Sequence, residues 1–81
     1  MYFALINTFE RDAQHAGRII SRHRSLEVAA RCQEKFDRAV KRANGVHSYV
    51  PTRVVVVSPA LRVGSWVRHS DIEDERERER I

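Results

Sequence analysis

Residues 25–45, SLEVAARCQEKFDRAVKRANG, constrain the fold of this chain most, because their periodicity, start signal and stop signal agree. At about 100° per residue, Val28, Ala29, Cys32, Phe36, Ala39, Val40 and Ala43 fall within an arc of roughly 120°, while Arg31, Lys35, Arg38 and Arg42 gather within about 60° on the opposite side. Ser25 is placed to cap the free amides of a first turn, and Glu27 sets negative charge near the positive helix end. Asn44-Gly45 supplies the stop, with Lys41 and Arg42 in the last turn. The stretch predicts one long helix with a face for a core and a face for water or an anion.

Shorter segments on either side read as strands that would supply that core. Residues 2–9 (YFALINTF) are aromatic and branched and too brief for an independent helix. Residues 10–17 (ERDAQHAG) break the apolar pattern and end in Gly17, which reads as a hairpin loop. Residues 18–24 (RIISRHR) follow as a second strand, with Arg18, Ile20, Arg22 and Arg24 on one parity, expected to face solvent. After a connector that ends at Pro51, residues 52–58 (TRVVVVS) give the strongest strand signal, and four consecutive valines demand cover on both faces. If Arg53 points to solvent, Val55 and Val57 point with it, and either a second copy or the C-terminal segment has to cover them. Residues 61–69 hold the single tryptophan, with a turn at Gly64-Ser65 before a short fourth strand or an extended cover that closes the small core.

This order predicts a small α+β fold: a β-hairpin, a long helix, a β-strand and a short fourth strand, giving a three- to four-stranded sheet with the helix on one face. A right-handed crossover places the third strand parallel to the second, on the far side of the first. At 81 residues the core is thin. Residues 1–70 are expected to form the one domain. Residues 71–81 are expected to be a charged tail, a frayed helix or disordered, because the capping-box form of Ser70-Asp71-Ile72-Glu73 is followed by like charges at spacing four, such as Glu73/Glu77 and Arg76/Arg80.

Charge is unevenly divided. Residues 1–70 carry 12 Lys plus Arg against 5 Asp plus Glu, a net of +7, whereas residues 71–81 carry 3 Arg against 6 acids, a net of −3. A single cysteine on the apolar helix face excludes an internal disulfide. The opening residues lack a basic export signal and no apolar run approaches the roughly 20 residues of a membrane span, so the expected setting is the cytoplasm, without a membrane partner.

The cations Arg18, Arg22, Arg24 and Arg53 on strands, with Arg31, Lys35, Arg38 and Arg42 on the helix, are the residue type that binds phosphate backbones and releases their counterions. No base-reading motif accompanies them, which points to shape or backbone binding of DNA or RNA. Against that, Glu27/Arg31, Glu34/Arg38 and Asp37/Lys41 are acid–base pairs at spacing four, the pattern of a solvated helix face. The four histidines, His15, His23, His47 and His69, match no metal spacing, and no nucleophile or paired carboxylate stands at a telling distance. No metal, cofactor, small-molecule substrate or catalytic residue is therefore expected. A hairpin leading into Ser25-Leu26-Glu27-Val28-Ala29-Ala30 resembles the helix start in small sheet-and-helix nucleic-acid modules such as the arm-binding domains of phage-type integrases. The likeness covers about a third of the chain and implies no individual residue role.

The reading is a small non-enzymatic nucleic-acid-binding or accessory protein that uses a basic surface. The alternative is a protein–protein interaction module or small inhibitor, homodimeric through the valine-rich strand, with Val55, Val57 and Trp66 at the interface. Docking of the acidic tail on the basic body would compete with an anionic partner, so removal of residues 71–81 is expected to tighten nucleic-acid binding.

Overall fold

A computed structural model describes residues 2–72; the segment 73–81, most of the expected tail, lies outside the described residues. The elements are β1 (Tyr2–Asn7), β2 (His15–His23), α1 (Leu26–Asn44), β3 (Thr52–Val57) and β4 (Trp66–Arg68), followed by a short 3-10 turn (His69–Asp71). All neighbouring strands are antiparallel, in the order β3-β1-β2-β4. The fold is the expected α+β arrangement, with β3 beyond β1 and the short strand at Trp66 as the fourth.

The helix ends where its capping chemistry predicts. Ser25 has an extended backbone, and its hydroxyl accepts from the amides of Glu27 at 3.1 Å and Val28 at 3.4 Å. At the other end Gly45 turns at φ 108°, open to glycine and strained for other residues, and its N–H donates to the carbonyl of Lys41 at 2.8 Å.

Strand register identifies the face that α1 covers. Gln33 Nε2 donates to Thr52 Oγ1 at 3.1 Å, so α1 lies on the side of Thr52, Val54 and Val56. Val56 pairs with Phe3 and Val54 with Leu5, which puts Phe3 and the buried Leu5 on the same side. Along α1, Ala29 is buried and Cys32, Gln33, Phe36, Asp37, Val40 and Lys41 are half-buried, while Val28, Ala39 and Ala43 are exposed. The helix is thus rolled by roughly 60° from the centre of its apolar arc. Small Ala29 permits close approach and the Gln33–Thr52 hydrogen bonds hold the rotation, leaving part of the arc outside the core.

The opposite face of the sheet carries the larger core. Ala4, Ile6, Ala16, Ile19, Val55, Val57 and Val67 pack there, joined by Tyr2, Leu61 and Ile72. Because β3 and β4 occupy opposite edges, the connection between them must cross β1 and β2, and it crosses on the side away from α1, bringing Leu61 onto the valines. Val55 and Val57 are therefore 1% and 0% exposed within one chain. Of the two covers considered for them, the C-terminal segment supplies it: Leu61, Val67 and Ile72, whose backbone also bridges Val57.

Two local features of β2 depart from expectation. It begins at His15 rather than Arg18, because the Asp12 carboxylate accepts from the amides of Gln14 at 2.8 Å and His15 at 2.7 Å and tightens the preceding turn. Gly17 consequently lies inside the strand, where the Asn7 carbonyl leaves no room for a Cβ. A β-bulge then shifts the pairing: Leu5 faces Ser21 but Ile6 faces Ile19, and Ile20 is the extra residue. The arginine parity is broken there. Arg22 lies opposite Ala4, on the face away from α1, whereas Arg18 lies opposite Asn7, on the side of α1.

Candidate nucleic-acid interface

Each strand arginine now has a definite place. Arg22 is half-buried, and its Nη1 donates to the carbonyls of Pro59 at 3.0 Å and Leu61 at 2.7 Å while its guanidinium lies 4.8 Å from the Tyr2 ring centroid. It is a latch that holds the crossing segment 58–65 on the core. Arg22→Ala is expected to lower stability by about 1–2 kcal/mol, since two charged hydrogen bonds to backbone carbonyls, the Leu61 one half-buried, are lost. Urea unfolding checks this, and an unchanged midpoint would refute the latch. Arg24 is exposed, 5.9 Å from the same ring, and Arg53 is exposed on the same face, opposite Ile6. Arg22, Arg24 and Arg53 thus belong to the side of the sheet away from α1.

Arg31, Lys35, Arg38 and Arg42 are all exposed on the outer side of α1. They lie within twelve residues, a row of about 16 Å at the helical rise, with neighbours about 6 Å apart. Of the three spacing-four pairs expected to engage the helix cations, only Lys41–Asp37 forms, at 2.8 Å. None of the four cations in the row makes an ion pair or hydrogen bond among the described residues. The row is therefore a line of positive charge without an ion-pair partner among the described residues, separated by the sheet from Arg22, Arg24 and Arg53. Of the strand cations, Arg22, Arg24 and Arg53 therefore share no surface with the helix row, whereas Arg18 lies on the helix side.

A second basic group stands on the same side of the sheet as α1, at the β2–β4 edge, where α1, which lies over β1, β2 and β3, leaves the sheet open. Trp66 pairs with Arg18 and His15 with Arg68, so these four share a face, while Val67 points the other way into the core. The Arg18 guanidinium lies 4.6 Å from the Trp66 ring centroid, and the His15 ring is 5.4 Å away and tilted by 54°. Trp66 is 37% exposed. His15 and Arg68 escape the sequence reading because residues 10–17 look like loop. The alternation Trp66-Val67-Arg68 is the signal that places tryptophan and arginine on one face.

The turn before this group is sensitive to acid. The backbone amides of His15 and Gln14 hold the Asp12 carboxyl below the ordinary aspartate value. A depressed value in the folded chain means that the cap contributes its stabilisation above the ordinary value and loses it as the pH falls through the depressed one. Carboxyl-carbon NMR between about pH 2 and about pH 6 is expected to place the Asp12 midpoint below that of an unstructured aspartate. An ordinary midpoint would refute the cap.

His23 Nε2 lies 2.8 Å from Ser21 Oγ and Cys32 is a half-buried free thiol. Among the described residues no group of three or more His, Cys, Asp or Glu could hold a metal ion, and no helix is long and apolar enough to cross a membrane. No family model, no curated protein and no solved structure matches this chain.

Proposed function

We propose that the chain is a small non-enzymatic nucleic-acid-binding or accessory protein that grips the phosphate backbone through Arg31, Lys35, Arg38 and Arg42. The observation that carries this reading is the row itself: four exposed cations on one rigid helix face, none with an ionic partner among the described residues. A solvated helix face of ordinary type would tie such side chains to acids one turn away, and here Glu27 and Glu34 leave Arg31 and Arg38 alone. Phosphates spaced along a strand fit a line of point charges without base contacts, so binding is by charge and shape rather than by sequence.

Anisotropy titrations of labelled DNA and RNA at about 50 and about 200 mM salt test it. Affinity that falls steeply with salt supports the proposal; absence of binding at the lower salt, or binding indifferent to salt, overturns it.

A second reading is a protein-interaction module that pairs through β3. It draws on the place of β3 at the sheet edge, where no strand pairs with its outer side beyond the Val57–Ile72 bridge among the described residues. Val55 and Val57 are spent inside the chain, so the contact would be made by backbone, with a second copy extending the sheet. Sedimentation equilibrium at twice the 9.4 kDa chain mass would support it.

A further inference from the structure

We infer that Trp66, with Arg18, His15 and Arg68, forms a stacking subsite for an unpaired nucleobase, which makes the ligand single-stranded or locally opened nucleic acid; the inference rests on the nucleic-acid reading above. The group has the parts such a site requires: a flat aromatic face for the base, and cations beside it for the phosphates on either side. Trp66 is the chain's only tryptophan and stands on the outermost strand, over a third exposed, although its neighbour Val67 is fully buried. The pleat of β4, anchored by Val67, therefore holds the indole outward in a fixed orientation.

In the chain alone, Arg18 rests on the indole at 4.6 Å, a cation–π contact that keeps the ring from standing bare in water. Because Arg18 is exposed, its guanidinium can yield the ring to a base and turn to the adjoining phosphate while its charge stays at the site. His15 borders the indole at an angle of 54°, and Arg68, two residues beyond Trp66 on the same face, is exposed. A duplex hides its base faces and would gain nothing here. A base on Trp66 and phosphates along the α1 row would both lie on the helix side of the sheet, so a single strand can follow one side of the molecule.

The full chain carries its own reporter, since all tryptophan fluorescence comes from Trp66. The test titrates it with an oligothymidylate of about 12 nucleotides and with a duplex of equal length, reading anisotropy of the labelled nucleic acid and indole emission together. The expected result is quenching of the indole by the single strand, tighter binding of it than of the duplex, and an affinity loss of about 5- to 150-fold in Trp66→Ala that Trp66→Phe largely restores. Binding of the single strand with unchanged indole emission, or preference for the duplex, overturns the subsite and leaves the proposed function standing. Absence of binding to either probe at low salt overturns both. The emission readout uses the unaltered chain, so it decides the question even if a variant fails to fold.

Discussion

Between about 50 and about 200 mM salt, the wild-type chain is expected to lose about a hundredfold more nucleic-acid affinity than a variant in which Arg31, Lys35, Arg38 and Arg42 are all glutamine. Each phosphate contact contributes about 0.9 on duplex DNA and about 0.7 on a single strand to the slope of log affinity against log salt, so four contacts over a fourfold change in salt amount to roughly two decades. Glutamine is chosen because its helix propensity is close to that of arginine and lysine, and because the four side chains are exposed and unpaired among the described residues. The melting temperature should stay within a few degrees of wild type, which separates lost binding from lost fold. A variant with the wild-type salt slope would remove α1 from the interface. The same substitution made at Arg24 and Arg53, across the sheet, should leave most of the slope in place.

The largest effect on stability is expected from Gly17→Ala. A Cβ at this position would run into the carbonyl oxygen of Asn7 and stand 3.0 Å from its carbonyl carbon. Both atoms are backbone in the neighbouring strand β1, so no side chain can swing away, and either the β1–β2 pairing or the turn beyond it must open. Strain and overpacking of this kind cost about 2–4 kcal/mol. A domain of this size has about 5–10 kcal/mol in all, and each kcal/mol moves the midpoint by about 4–8 °C, so a fall of about 8–32 °C is expected. Thermal unfolding followed by circular dichroism measures it, and a midpoint within about 3 °C of wild type would show that the strands separate there without cost.

Residue patterns made much of this architecture legible. The helix limits follow from local chemistry, a serine that caps amides and a glycine that accepts positive φ, and such signals depend little on the rest of the fold. The place of β3 beyond β1 also follows, because a long helix between two strands leaves few ways to return to the sheet, whereas no residue pattern puts β4 beside β2. The bulge at Ile20 is not legible, since Arg18, Ile20, Arg22 and Arg24 alternate cleanly in sequence and only the pairing with Leu5 and Ile6 shows the extra residue. For the candidate site that single residue decides most. It turns Arg22 into a latch for Pro59 and Leu61 and sends Arg18 to Trp66. The rolled helix is hidden for a related reason: its rotation is set by Gln33 reaching Thr52, nineteen residues on, which no periodicity within the helix records. The salt-bridge spacing misled in the other direction, because sequence separation makes Glu27/Arg31 and Glu34/Arg38 neighbours without making them partners.

The segment that crosses behind the sheet also sets an order in time. β1 leaves the ribosome before the other strands of its sheet and ends as an inner strand, yet the face it shares with Val55 and Val57 stays open until Leu61, Val67 and Ile72 arrive some sixty residues later. A nascent chain that has already made its helix therefore still shows water a row of valines. Closing so wide a loop is slow compared with winding a helix, which puts this molecule among folders limited by distant contacts. Its most aggregation-prone moment falls between the emergence of β3 and that of the crossing segment, and the arrival of Arg22's two carbonyl partners, Pro59 and Leu61, brings it to an end.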